Sequence, residues 1–244
     1  MRTALLTGAS GGIGRAVARA LAGMGYGLTI TARRDAALAS LADELRAEGA
    51  TSVVRVPADL ADRDALADIV ARHRNAFGSM NALILNAGVG TAGSIADADL
   101  RRIDKTLQVN FTAATALLQH ALPMLRLAAS ADPARGAKII GVASVAGVYA
   151  EPGLGVYGAS KAALLSLLET LNAEESANGV TATALAPAYV DTDMAAWVAD
   201  RVPVASMIPL EDVVGLVCAL LNLSSNTTVA RIVLARSGTS GYHA

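Results

Sequence analysis

Thr7-Gly8-Ala9-Ser10-Gly11-Gly12-Ile13-Gly14 is the stretch on which the fold turns. It follows an apolar run at 3–7 and opens a helical pattern over 13–24. Gly8 permits a tight strand-to-helix turn, Gly12 lets the backbone approach a pyrophosphate, and Gly14 lets the helix pack closely on the sheet. The helix start then offers free N–H groups and the positive end of its dipole to a phosphate. Ser10 and Ile13 lie on the same loop and join the expected contacts. The spacing is G-x-x-x-G-x-G rather than G-x-G-x-x-G, and an ordinary strand–helix turn remains an alternative at this point.

Outward from this turn the pattern repeats. Short apolar runs at 27–32, 52–56, 82–86, 137–143, 180–186 and 229–234 alternate with helical patterns at 35–48, 62–76, 99–127, 157–177 and 211–221. Strand–helix alternation predicts an α/β fold, with about seven parallel strands in one doubly wound sheet and helices on both faces. The strands are continuously apolar, as expected when both sides are covered. Residues 128–136 read as a loop rather than a linker, so 1–244 is expected to be a single domain.

Composition narrows the function. The chain has 244 residues, 53% of them apolar, and a net charge of −1, which gives no electrostatic reason for a nucleic acid or an anionic membrane surface. Its single cysteine, Cys218, excludes a disulfide framework, and the histidines His73, His120 and His243 are scattered, so no metal site is expected. The apolar runs fall short of the roughly 20 residues of a membrane helix, and no leader pattern precedes the first strand. The cytoplasm is the expected location.

Three further groups carry chemistry. At the end of the second strand, an acidic residue would bond a ribose 2′-hydroxyl and repel a 2′-phosphate. Here Ala32 is followed by Arg33 and Arg34, which favours NADP(H) over NAD(H), with Arg33 the better phosphate ligand. Asp59-Leu60 and Asn86-Ala87-Gly88 follow the third and fourth strands and belong at the ligand crevice, with Asp59 able to accept from an adenine amino group. Ser144 ends the fifth strand, and Tyr157 and Lys161 share a helical face four residues apart. An ammonium near a phenol lowers its pKa from about 10, toward proton exchange near neutral pH.

Taken in order, residues 7–14, Asp59, Asn86-Ala87-Gly88, Asn110, Ser144, Tyr157-x-x-x-Lys161 and residues 187–192 resemble a short-chain dehydrogenase/reductase, along essentially the whole chain. The resemblance implies a Rossmann domain in which Tyr157 is the general acid/base and Ser144 orients the reacting oxygen. It implies that Lys161 bonds the nicotinamide ribose and lowers the Tyr157 pKa, and that Asn110 holds a water linking Lys161 to solvent. Pro187, Val190 and Thr192 would lie at the nicotinamide. The sequence departs from the family at Ala188, where glycine is usual, and at Gly11, where NADP-preferring members often carry a basic residue. After the last strand it lacks the Asn-Gly-Gly of acyl-carrier-protein reductases, which weakens a fatty-acid synthesis assignment.

Residues 188–209, with Trp197, Met194 and Met207, read as an apolar lid or as simple packing. The expected activity is NADP(H)-dependent interconversion of a small carbonyl and a secondary alcohol. The alternative is a catalytically silent cofactor sensor or structural subunit of the same fold. The alanine- and leucine-rich helices 99–127 and 157–177 suggest a homodimer or homotetramer.

Overall fold

The computed structural model describes residues 1–239; positions 240–244 of the expected domain, His243 among them, lie outside the described residues. Seven parallel strands form one sheet: β1 (Thr3–Thr7), β2 (Gly27–Ala32), β3 (Ser52–Pro57), β4 (Ala82–Leu85), β5 (Ala137–Val142), β6 (Val180–Pro187) and β7 (Arg231–Leu234). Their order is β3-β2-β1-β4-β5-β6-β7. The chain winds outward through β2 and β3, then crosses back to place β4 on the other side of β1. Such a reversal opens a crevice beyond the carboxyl ends of β1 and β4.

Adjacent strand residues point to opposite faces, and the core divides accordingly. Leu5, Leu83 and Ile139 pack in one cluster with α3 (Arg63–Phe77), α5 (Ala113–Ala131) and α6 (Gly155–Glu175). Their neighbours Leu6, Ile84 and Ile140 pack in the other with α1 (Gly12–Gly23), α2 (Asp35–Ala47) and α7 (Leu210–Leu221). A strand buried on both sides has no polar face to show, which is why these runs are continuously apolar.

Most boundaries agree with the sequence pattern to within two residues, and α6 begins two residues before the expected 157. The helix expected at 99–127 is α4 (Leu100–Leu107), a π-helical turn over Gln108–Thr112, and then α5. α5 continues to Ala131, shortening the expected loop, and β7 begins at Arg231 rather than 229. Pro123 lies inside α5. Among the described residues no helix is long and apolar enough to cross a membrane.

Under β2 the side chain of His73 is fully buried. Its Nδ1 lies 2.9 Å from the Thr29 hydroxyl and its Nε2 3.1 Å from the Ser79 carbonyl oxygen. Since a carbonyl only accepts, Nε2 carries the proton and Nδ1 accepts from Thr29. Burial pushes His73 down from 6.5 to about 4. The unfolded chain therefore binds a proton between pH 6.5 and 4 that the folded chain refuses, so this residue's contribution to stability falls as pH falls through that window. From pH 7 to 5 the loss is about 2 kcal/mol. Urea unfolding of the protein and of His73→Gln at both pH values checks this: the variant, although less stable, shows a slope flatter by about that amount.

Candidate active site

The crevice is built on the glycine turn. Gly8 has φ +66° and Gly12 has φ +49°, in the region where a side chain is strained. α1 starts behind Gly11 with no side-chain cap and no acidic residue in its first turn, so its N-terminal N–H groups and dipole are available to an anion. Asn86, at the end of β4, donates its amide to the Thr7 and Gly8 carbonyl oxygens, 3.1 Å each. It thereby clamps the turn to the neighbouring strand.

Gly14 supplies close packing rather than a ligand contact. A Cβ there would run into the Gly8 carbonyl oxygen and the Asn86 amide. Gly14→Ala is expected to cost about 2–3 kcal/mol, the scale of an overpacked site, because a backbone carbonyl cannot rotate away. Thermal unfolding measures it, and an unchanged Tm would contradict the close contact.

A cavity of about 720 Å3 opens over this turn, within the size range of small-molecule and cofactor sites. Gly8, Ser10, Gly12 and Ile13 form part of its wall, with Arg33, Asp59 and Leu60 on the β2–β3 side. Asn86, Ala87 and Gly88 line the middle; Ser144, Tyr157, Lys161, Pro187, Val190 and Thr192 line the β5–β6 side. Gly14, Arg34 and Asn110 are not on the lining. Arg34 precedes α2 as its cap residue, facing solvent. Arg33 is exposed, and the nearby Asp35 is already paired with Arg55 at 3.2 Å. An uncapped helix start, a glycine cradle and a free guanidinium fit a dinucleotide bearing an extra phosphate.

On the β5–β6 side, Ser144 leaves the end of β5 and Tyr157 rises from the first turn of α6. The Ser144 and Tyr157 side chains are hydrogen-bonded. Lys161, one turn later, is buried, and its Nζ donates to the Val142 carbonyl oxygen at 2.8 Å. Nζ stands 5.7 Å from the centre of the Tyr157 ring.

The expected lowering of the Tyr157 pKa by Lys161 is not what this arrangement gives. Burial pushes the phenol above its usual value, and Ser144 alone opposes the shift. Lys161 is itself lowered by burial, to about 8, which weakens its hold on charge near neutral pH. Removal from water therefore outweighs the i,i+4 proximity on which the sequence expectation rested.

Asn110 lies in the π-helical turn, buried behind the wall. Its Oδ1 accepts from the Val89 N–H at 2.8 Å, and its Nδ2 donates to the Val89 carbonyl oxygen and to Ser160 Oγ, at 3.1 and 3.0 Å. Ser160 Oγ donates in turn to the Tyr157 carbonyl oxygen at 2.7 Å. The Asn110 side chain thus ties the loop after β4 to the first turn of α6. Sequence reasoning missed Ser160; its only signal was adjacency to Lys161. It also missed Lys105, on the lining of the cavity.

Over the β5–β6 side lies the segment 188–209. Ala195, Val198 and Met207 form a small core of their own, backed by Tyr189 and Val202. The ends of the segment meet where Ile208 N–H donates to the Tyr189 carbonyl oxygen at 2.9 Å. Trp197 stacks edge-on to Tyr189, 6.1 Å between ring centres, and the Arg201 guanidinium sits 5.4 Å over the indole. Met194 and Trp197 line the cavity yet stay about half exposed, so they are not simply packed against the body. Ala188 is buried in the cluster that α1 and α7 also join.

Similarity to known proteins agrees with this geometry. A family model described as short chain dehydrogenase matches residues 2–202. A short chain dehydrogenase of Pseudocercospora fijiensis is 33% identical over 211 residues, 86% of this chain; the match spans 66% of that relative, just under two thirds of its length. A short chain dehydrogenase from Burkholderia cenocepacia, solved in complex with NADP, superposes with a TM-score of 0.83 at 30% identity over 96% of each chain. An alcohol dehydrogenase from the archaeon Thermococcus sibiricus, complexed with 5-hydroxy-NADP, gives 0.84 at 25% identity, over 100% of this chain and 98% of that one.

Proposed function

Because the chain belongs to the short chain dehydrogenase family, we propose that it is an oxidoreductase that interconverts a small carbonyl compound and a secondary alcohol with NADP(H). The observation that carries this reading is the cavity itself, with Arg33 on one side, the uncapped start of α1 in the middle, and Ser144, Tyr157 and Lys161 on the other. Solved relatives carrying NADP and 5-hydroxy-NADP support the choice of cofactor.

The nicotinamide, when bound, supplies or takes up the hydride. Tyr157, protonated at neutral pH as a phenol ordinarily is, donates its proton to the substrate carbonyl oxygen in reduction. Ser144, hydrogen-bonded to the same phenol, holds that oxygen in place as its charge grows. Lys161 keeps its Nζ on the Val142 carbonyl oxygen, close to Gly88, and would hold a ribose hydroxyl of the cofactor. Asn110 and Ser160 set the position of α6 and so of Tyr157. Arg33 takes the 2′-phosphate, and the half-exposed Met194 and Trp197 offer apolar surface to the substrate.

NADPH oxidation followed at neutral pH with a panel of aldehydes and ketones tests the reading. Turnover with at least one is expected; none with any, alongside intact NADPH binding, would favour a silent cofactor sensor. We also expect a homodimer or homotetramer built through α5 and α6, which sedimentation equilibrium measures.

A further inference from the structure

Three cations line the cavity: Arg33, Lys161 and Lys105. The first two have places in the reading above. Lys105 has none. It is exposed on α4, and no ion pair or side-chain hydrogen bond engages it among the described residues. Arg101, one turn earlier, and Arg102 are likewise exposed, so the helix presents three positive charges, with Asp104 the acid among them.

The backbone beside Lys105 is anchored. Thr106, the next residue, is buried, and its hydroxyl is hydrogen-bonded to Thr91 in the loop after β4. That bond pins the rim loop against α4. Asp193 lies on the same lining from the segment over β6, yet no ion pair joins it to Lys105. Lys105 thus lines the cavity with no ion-pair partner among the described residues.

We infer that Lys105 is an anion-binding residue of this cavity, reading either an acidic substituent of the substrate, such as a carboxylate, or a phosphate oxygen of the dinucleotide. A charge-assisted hydrogen bond from an ammonium suits both. The inference rests on the proposed dinucleotide site.

The test is therefore made on binding, with Lys105→Gln and Lys105→Arg beside the unaltered protein. Calorimetry gives Kd for NADPH and NADH; Trp197 fluorescence, on the NADP+ complex, gives Kd for butanoate and for butanamide. Butanoate weakened about tenfold in Lys105→Gln, restored in Lys105→Arg, with butanamide and both cofactors unchanged, assigns the anion to the substrate. Weakening of NADPH and NADH together, again restored by arginine, assigns it to the pyrophosphate; weakening of NADPH alone assigns it to the 2′-phosphate. If no ligand depends on Lys105, the inference is overturned while the oxidoreductase reading stands. Failure of the unaltered protein to bind NADPH would instead overturn that reading.

Discussion

Replacing Tyr157 with phenylalanine lowers kcat by about 10³ and leaves the Kd for NADPH within about a factor of two. The ring keeps its volume, so α6 and the cavity wall hold their shape. What is lost is one O–H, beside the Ser144 hydroxyl. The place of Tyr157 on the cavity lining beside Ser144 gives this prediction its direction. A phenol is protonated at neutral pH with or without the upward shift, so the proton is present to donate, and removing the O–H removes the proton that must reach the carbonyl oxygen. Steady-state rates with a ketone, paired with calorimetry for NADPH, separate the two effects. Retained turnover would remove Tyr157 from the proton-donor role; joint loss of binding would mean that the substitution had disturbed the site as a whole.

The upward shift of Tyr157 could not have been read from the sequence. The four-residue spacing of Tyr157 and Lys161 gives proximity on a helix face, but not how dry that face is. The burial of Lys161 comes from Val142 of β5, Gly147 in the turn after Ser144 and Gly88 in the loop after β4, and these are contacts between residues distant in sequence. The sheet was legible because its signal is local and repeated: the inner strands β1, β2 and β4 are mostly apolar and buried, and helical patterns separate the strands, while the edge strands β3 and β7 are partly exposed. The π-helical turn at Gln108–Thr112 was not, because one inserted residue leaves an apolar pattern nearly unchanged. Its consequence is chemical, since Asn110 faces Val89 and Ser160 from inside it. The glycine turn, Arg33 and Ser144 were legible as residue types at strand ends. Lys105 was not, because nothing in a helix of alternating charges says which one meets a cavity.

At the other side of the cavity, Arg33→Asp shifts the ratio of NADPH to NADH affinity by about 10³ toward NADH. Arg33 is exposed on the lining, Ala32 stands where an acid would select the ribose hydroxyl, and Asp35 is occupied by Arg55. Loss of a hydrogen bond to a charged group costs about 1.5–3 kcal/mol. A carboxylate facing a phosphate at the protein surface adds roughly 1–2 kcal/mol of repulsion. The sum, about 4 kcal/mol, is about a thousandfold. NADH lacks the phosphate and is spared both effects, so its Kd stays within about threefold, improving where the new carboxylate reaches the ribose 2′-hydroxyl. Arg34→Ala is the control: lying off the lining, it changes the ratio by no more than about twofold. Calorimetry with both cofactors on both variants decides the matter. An unchanged ratio in Arg33→Asp would place the 2′-phosphate elsewhere, and a large change in Arg34→Ala would mean that the two arginines share it.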